Sequence, residues 1–250
     1  MDKTQMIEGR VATETDDGVM PVFFARPDGV DGCPAIILYM DVFGPRKELY
    51  DFCRRFAANG YLALLPSLFY RRERESYPPS NGQGETVDPG AFAAGRETSV
   101  EMVLSDTKRL IDEAKRGAFG VSVRGFGSIG YCMGGRHALA AVAAFPDDVH
   151  AGLSLHGGQL VKDEGFSPHI LIAGLKRPFH FAFAENDRTC PPDHQALLER
   201  EALKAGPHVT YRHYAAGHGW SFPARWSYDA KVAEENWQMA LDMFAAHIPR

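Results

Sequence analysis

The chain has 250 residues, 45% of them hydrophobic and 24% charged, and a formal net charge of -5. That balance supports a full core and excludes a disordered or collagen-like chain, and the net negative charge argues against nucleic acid or an anionic membrane as partner. No run approaches the ~18 apolar residues of a transmembrane helix, and the polar start Met1–Arg10 lacks a signal-peptide core, so a cytoplasmic protein is expected.

Val11–Thr15 and Met20–Ala25 flank Asp16-Asp17-Gly18 and read as a β-hairpin. Pro27–Pro34 is a turn-rich connector, and Ala35–Tyr39 is a continuous apolar run, the mark of a strand buried on both faces. Leu49, Phe52, Phe56 and Ala57 follow at helical spacing and end at Asn59-Gly60, after which Tyr61–Leu65 is a second buried strand. Residues 66–96, with the basic Arg71-Arg72-Glu73-Arg74 and then Tyr77 to Gly82, form the least regular stretch; such an excursion is functional or mobile. Val100, Val103, Leu104, Thr107, Leu110, Ile111 and Ala114 predict a helix from about Glu97 to Arg116. Ala138–Ala144 continues a small-residue helix behind Cys132, Ala151–Leu155 and Pro178–Phe183 are short strands, and His208–Tyr214 is the last strand. A final helix is predicted from about Arg225 to Ile248. Alternating buried strands and helices imply a mostly parallel central sheet flanked by helices, in one domain over 1–250.

The most informative segment is Gly130-Tyr131-Cys132-Met133-Gly134-Gly135, where a strand gives way to a helix. A nucleophile on such a turn needs glycines two before and two after it, because those positions run against neighbouring backbone. A helix starting at about Met133 would point its free N–H groups at the sulfur, favour thiolate, and offer the Met133 N–H to an oxyanion. The bland alternative is a buried structural cysteine in a glycine-rich turn. Cys33, Cys53 and Cys190 are scattered, without a CxxC pair, and read as bystanders. His208, His213 and His218 recur every five residues, a spacing that suits neither helix nor strand, so neither metal nor cofactor is expected.

A thiol at an elbow requires a base, and the base an orienting acid, in the chain order nucleophile, acid, histidine. Asp187 follows a predicted strand, and His218, in Ala216-Gly217-His218-Gly219-Trp220, follows the last one. Carboxyl ends of parallel strands are where ligand sites form. Asp187 has rivals: Glu185 stands two residues earlier, and an Asp here is often a helix N-cap, although Thr189 beside Pro191 and Pro192 could cap instead.

With these residues in order, the chain resembles the dienelactone hydrolase (carboxymethylenebutenolidase) family of α/β-hydrolases. The resemblance rests on the cysteine elbow, on Glu185-Asn186-Asp187, on Gly217-His218-Gly219-Trp220-Ser221-Phe222, on Met40-Asp41-Val42-Phe43-Gly44 and on Pro66-Ser67-Leu68-Phe69. It implies an α/β-hydrolase fold and a Cys132, Asp187, His218 triad. It also implies that Asp41, where the family usually has glutamate, holds the resting thiol, and that Val42 gives a second oxyanion N–H beside Met133. Arg71 and Arg225 are the nearest matches to the arginines that hold a substrate carboxylate.

The expected activity is cleavage of a lactone or activated ester, carboxylate-bearing, through a thioester on Cys132. A thiolate is expelled from a tetrahedral intermediate more readily than an alkoxide, so the nucleophile suits substrates with a good leaving group, such as an enol lactone. A broad esterase or thioesterase on the same scaffold is the nearest alternative, and a redox-sensing thiol or a non-catalytic relative are alternatives of other classes. The expected partner is a small molecule, and the expected state a monomer or small homo-oligomer.

Overall fold

The computed structural model describes residues 5–79 and 87–249. The part of the irregular stretch from Ser80 to Thr86, including Ser80-Asn81-Gly82, lies outside them, as does the beginning of the polar N-terminal segment.

The predicted hairpin is present and longer than the periodicity suggested: β1 (Met6–Thr15) pairs antiparallel with β2 (Gly18–Pro27) along its whole length. β2 then lies antiparallel to β4 (Leu62–Pro66). From there the sheet is parallel through β3 (Ala35–Tyr39), β5 (Phe126–Tyr131), β6 (Val149–Leu155), β7 (Phe179–Ala184) and β8 (Val209–Tyr214). The eight-stranded order is β1-β2-β4-β3-β5-β6-β7-β8. Strands β3, β4, β5 and β7 are buried at every residue, which explains why β3 and β4 read as unbroken apolar runs and not as alternating ones.

Helices cover the sheet. α1 (Lys47–Ala58) buries Leu49, Phe52, Phe56 and Ala57, as the spacing predicted, and α6 (Ala230–His247) packs Trp237 against Phe56 at 4.3 Å between ring centroids. Elsewhere α3 (Val100–Lys115) packs on α4 (Met133–Ala144), whose residues from Met133 to Val142 are all buried. A helix hydrophobic all round is an interior helix, and α4 is the one that carries the elbow.

Four elements differ from the sequence reading. Inside the irregular stretch lies α2 (Pro89–Glu97), nine residues of mostly Ala and Gly with too little apolar periodicity to stand out; its start is fixed by Asp88, which accepts from the Gly90 N–H at 2.8 Å. Glu97 therefore ends α2, and the long helix begins afresh at Val100 with Ser99 as its cap, accepting from Met102 N. The last helix starts at Ala230 and not at Arg225, because the Asp229 carboxylate accepts from Val232 N at 3.0 Å. A further helix, α5 (Pro192–Ala205), follows β7; its weak amphipathicity gave no pattern to read. Among the described residues no helix is long and apolar enough to cross a membrane.

Candidate active site

Cys132 sits between the end of β5 and the start of α4 with φ 51° and ψ -116°, a backbone conformation that L side chains rarely adopt. Its backbone is pinned to hold that shape: its N–H donates to Leu155 O at 3.1 Å, and its carbonyl accepts from Gly158 N at 2.9 Å and Gly135 N at 3.0 Å. The flanking glycines are required by contact. A Cβ on Gly130 would overlap the Gly134 main chain, and a Cβ on Gly134 would overlap the carbonyl of Tyr39 at the end of β3. Of the four cysteines, Cys132 alone is partly exposed; the other three are buried, and burial pushes the Cys190 thiol up to about 12.

Asp187 and His218 come together as the order of the strands required. The Asp187 carboxylate, buried, accepts from His218 Nδ1 at 2.7 Å, while Glu185 points to solvent. Asp187 caps no helix. Its second oxygen accepts from both the N–H and the hydroxyl of Thr189, each at 2.7 Å, and α5 starts at Pro192 with no side-chain cap. Thr189 is thus a residue the sequence reading placed in the wrong role: it donates to Asp187 and does not cap the helix. Burial works to raise the Asp187 pKa, but the His218 and Thr189 donors outweigh it and hold the carboxyl below its ordinary value.

The Cys132 sulfur lies near enough to the same imidazole to act on its charge, and with Nδ1 taken by Asp187 the free ring nitrogen is Nε2. Burial would drive the proton off His218; the charge of Cys132 and the charge and hydrogen bond of Asp187 prevail, and its pKa is pushed up to about 10. Behind it, His156 at the end of β6 meets the His218 ring edge to face at 5.1 Å and pairs through Nε2 with Ser221 Oγ at 3.1 Å. Burial, with His218 and Arg225 nearby, holds His156 well below the usual imidazole range, so it stays neutral. His156 had no distinguishing sequence signal beyond its place before Gly157-Gly158.

Cys132, Met133 and Val42 line one cavity of about 70 Å³, together with Phe92, Gly95, Arg96, Arg136, Gly158, Gln159 and Thr189. Met133 is the first residue of α4, so its N–H has no acceptor within the helix.

The remaining expected residues are placed differently. Both oxygens of the buried Asp41 are clamped by Arg46, at 2.6 and 2.9 Å, and one also accepts from Phe43 N at 3.0 Å. The contacts of Asp41 therefore run to Arg46 and Phe43, away from the role of holding the thiol. Arg71 is absent from the lining of the Cys132 cavity; its guanidinium makes a fork with buried Asp106, 2.8 Å on each side, and a further ion pair with Asp17 in the hairpin turn. A cation so committed staples the hairpin to α3, which sets it apart from the substrate-carboxylate role that the resemblance implied. Arg225 lies half-buried over the Phe43 ring at 5.1 Å, likewise outside the cavity lining.

Two cations do line the cavity, the exposed Arg96 and Arg136, the latter on the first turn of α4 and 6% exposed. Arg136 donates to Gln159 Oε1 at 2.6 Å and to the carbonyls of Gly95 at 2.6 Å and Thr98 at 3.3 Å, at the end of α2. Burial lowers its pKa to about 10, with Cys132 acting in the opposite sense. An Arg in a helix made mostly of Ala and Gly, four residues after the cysteine, was the available sequence signal.

The sequence matches the dienelactone hydrolase family over residues 20–248. It is 28% identical over 248 residues to a protein of Escherichia coli (strain K12) named "Putative carboxymethylenebutenolidase", covering 96% of this chain and 87% of that one. Another protein of the same name from Methylorubrum extorquens is 29% identical over 250 residues, covering 97% and 82%. Among solved structures, a "Putative Dienelactone Hydrolase" from Klebsiella pneumoniae superposes with a TM-score of 0.85 at 25% identity, over 96% of this chain and 99% of that one. With its mostly parallel eight-stranded sheet and N-terminal hairpin, the chain belongs to the dienelactone hydrolase family and is a hydrolase of the α/β-hydrolase fold.

Proposed function

We propose that this chain hydrolyses a lactone or activated ester through a thioester on Cys132, with His218 as acid and base and Asp187 as its orienting carboxylate. The observation that carries the reading is an imidazole held by the buried Asp187 at 2.7 Å and influenced by the charge of Cys132, itself partly exposed on a strained turn at φ 51°. Such a ring can take the thiol proton as the sulfur attacks and hold it for the leaving group.

The sulfur adds to the carbonyl carbon, and the oxyanion is received by the Val42 and Met133 N–H groups at the cavity wall. The C–O bond then breaks as His218 gives its proton to the leaving oxygen, and the acyl group remains on sulfur. Water attacks the thioester while His218 takes its proton, and the acid and the Cys132 thiolate are released. Since a thiolate leaves more readily than an alkoxide, the forward step is productive with enolate or aryloxide leaving groups, and amides are poor substrates. Asp41 can modulate the thiol only if the Arg46 clamp opens, so Arg46 would be the gate on that role.

The test is turnover of a 4-nitrophenyl ester by wild type and Cys132→Ala, with mass spectrometry of the quenched wild-type enzyme. Loss of at least about 10³-fold in kcat, with an acyl adduct on the peptide carrying Cys132, is expected. Undiminished hydrolysis by Cys132→Ala would remove the nucleophile.

A further inference from the structure

Cys132 and His218 are carried by different elements, one at the end of β5 and the other after β8, and His156 reaches both. Its main chain lies in the turn that brackets the cysteine: Leu155 O accepts from Cys132 N at 3.1 Å, and Gly158 N donates to Cys132 O at 2.9 Å. Its ring turns the other way. It lies edge to face with His218 at 5.1 Å and with Trp220 at 4.8 Å between centroids, and it pairs through Nε2 with Ser221 Oγ at 3.1 Å. Ser221 follows His218 on the same loop. That loop has two other ties, the Ser227 hydroxyl donating to the His218 carbonyl at 2.7 Å and Asp187 at the ring, and neither contact involves the cysteine turn.

The position is an unfavourable one for a histidine. Its backbone is left-handed at φ 39°, a conformation imposed by its surroundings, among them the Ala182 carbonyl of β7, which accepts from His156 N at 2.8 Å. The side chain is fully buried, and among the described residues Nδ1 meets no partner, so Ser221 is the ring's single hydrogen-bonded attachment. A phenylalanine would fill the same aromatic cage of Tyr131, Trp220 and Phe222 without burying an unpaired nitrogen. What the imidazole adds is the bond to Ser221. Because burial, His218 and Arg225 keep it neutral, it can also lie against a protonated His218 without repelling it.

We propose that His156 is a positioning residue, which through its turn and its bond to Ser221 holds the His218 loop at a fixed separation from Cys132. The proposal rests on the hydrolytic roles given above to Cys132 and His218 and adds the part that sets their spacing. His156 is absent from the lining of the Cys132 cavity and neither touches substrate nor carries a proton.

Ser221→Ala and His156→Phe each cut the link, the second keeping a ring in the cage, whereas His156→Gln again offers a nitrogen to Ser221. With a 4-nitrophenyl ester, Ser221→Ala and His156→Phe should each lower kcat about tenfold while KM stays within about twofold. The double variant should lose no more than either single one, because one link is broken once, and His156→Gln should stay within about threefold of wild type. A second measurement is independent of turnover. The His218 ring faces Cys132 and Asp187, which raise its pKa, and the neutral His156, beside which Arg225 lies. If Ser221→Ala lets the loop drift from the cysteine, the His218 titration followed by NMR should move to lower pH, less far than in Cys132→Ala. This variant decides the matter if those at His156 do not fold. Losses that multiply in the double variant, or a His218 titration unmoved by Ser221→Ala, would overturn the assignment; a side chain that only supports the fold would lower the denaturation midpoint and leave that titration in place. Failure of the hydrolytic reading has a different signature: Cys132→Ala would turn over the ester like wild type, while the His218 titration still reports on the link.

Discussion

Arg71 and Arg136 are both arginines held by helices of the same layer, yet they end in opposite electrostatic states. Arg71 is enclosed by two carboxylates, Asp106 and Asp17, and is neutralised. Arg136 is held by neutral oxygens and keeps its charge beside the thiol. In sequence the first stands in a basic run and looks available, and the second sits in an apolar helix and looks structural. Whether an arginine keeps its charge available is set by the absence of an acid partner, which is a tertiary property.

The largest effect should come from breaking the satisfied pair. Asp106→Asn leaves Arg71 without its buried carboxylate and should cost about 3–5 kcal/mol in chemical denaturation, against about 1–3 kcal/mol for Arg136→Gln, which loses only hydrogen bonds to neutral groups. Equal costs would mean that the two arginines are balanced alike. A second measurement extends the contrast to His218, whose charge is compensated on both sides. Because its pKa is raised, the ring should keep its proton through neutrality and release it only as pH rises toward about 10, followed by NMR of the imidazole. In Cys132→Ala, with the sulfur's share removed, the titration should move to lower pH; an unmoved titration would show that Asp187 alone sets it. The smallest effect is expected from Arg71→Lys, which should leave the preference for anionic over neutral ester within about twofold of wild type, since Arg71 does not line the Cys132 cavity. A larger change would return Arg71 to the substrate.

Much of this architecture was legible because the sheet is buried on both faces, so that its strands appear as apolar runs and the polar residues just after them stand out. Cys132, Asp187 and His218 stood out that way, in chain order, and the structure joins Asp187 to His218 at 2.7 Å. What escaped was whatever depends on pairing across the chain. Asp106 lies on α3, 35 residues beyond Arg71, and nothing in the local sequence of either announces the other. Asp41 reads as an acid facing the thiol until Arg46, five residues on, is seen to take both its oxygens. α2 escaped for a different reason: with Ala and Gly at most positions, its apolar face is too faint to register, and Asp88-Pro89 was the only sign of its start.

The overlap that any side chain on Gly134 would make with Tyr39 has a consequence for how the two N–H groups proposed to receive the oxyanion are spaced. Val42 lies just beyond β3, of which Tyr39 is the last residue, and Met133 immediately precedes Gly134. The gap between them is therefore gauged by main chain resting on main chain, with no rotamer interposed that could flex or swell. A larger residue at 134 would act as a shim between the end of β3 and the start of α4, prising apart the two main chains that carry these N–H groups.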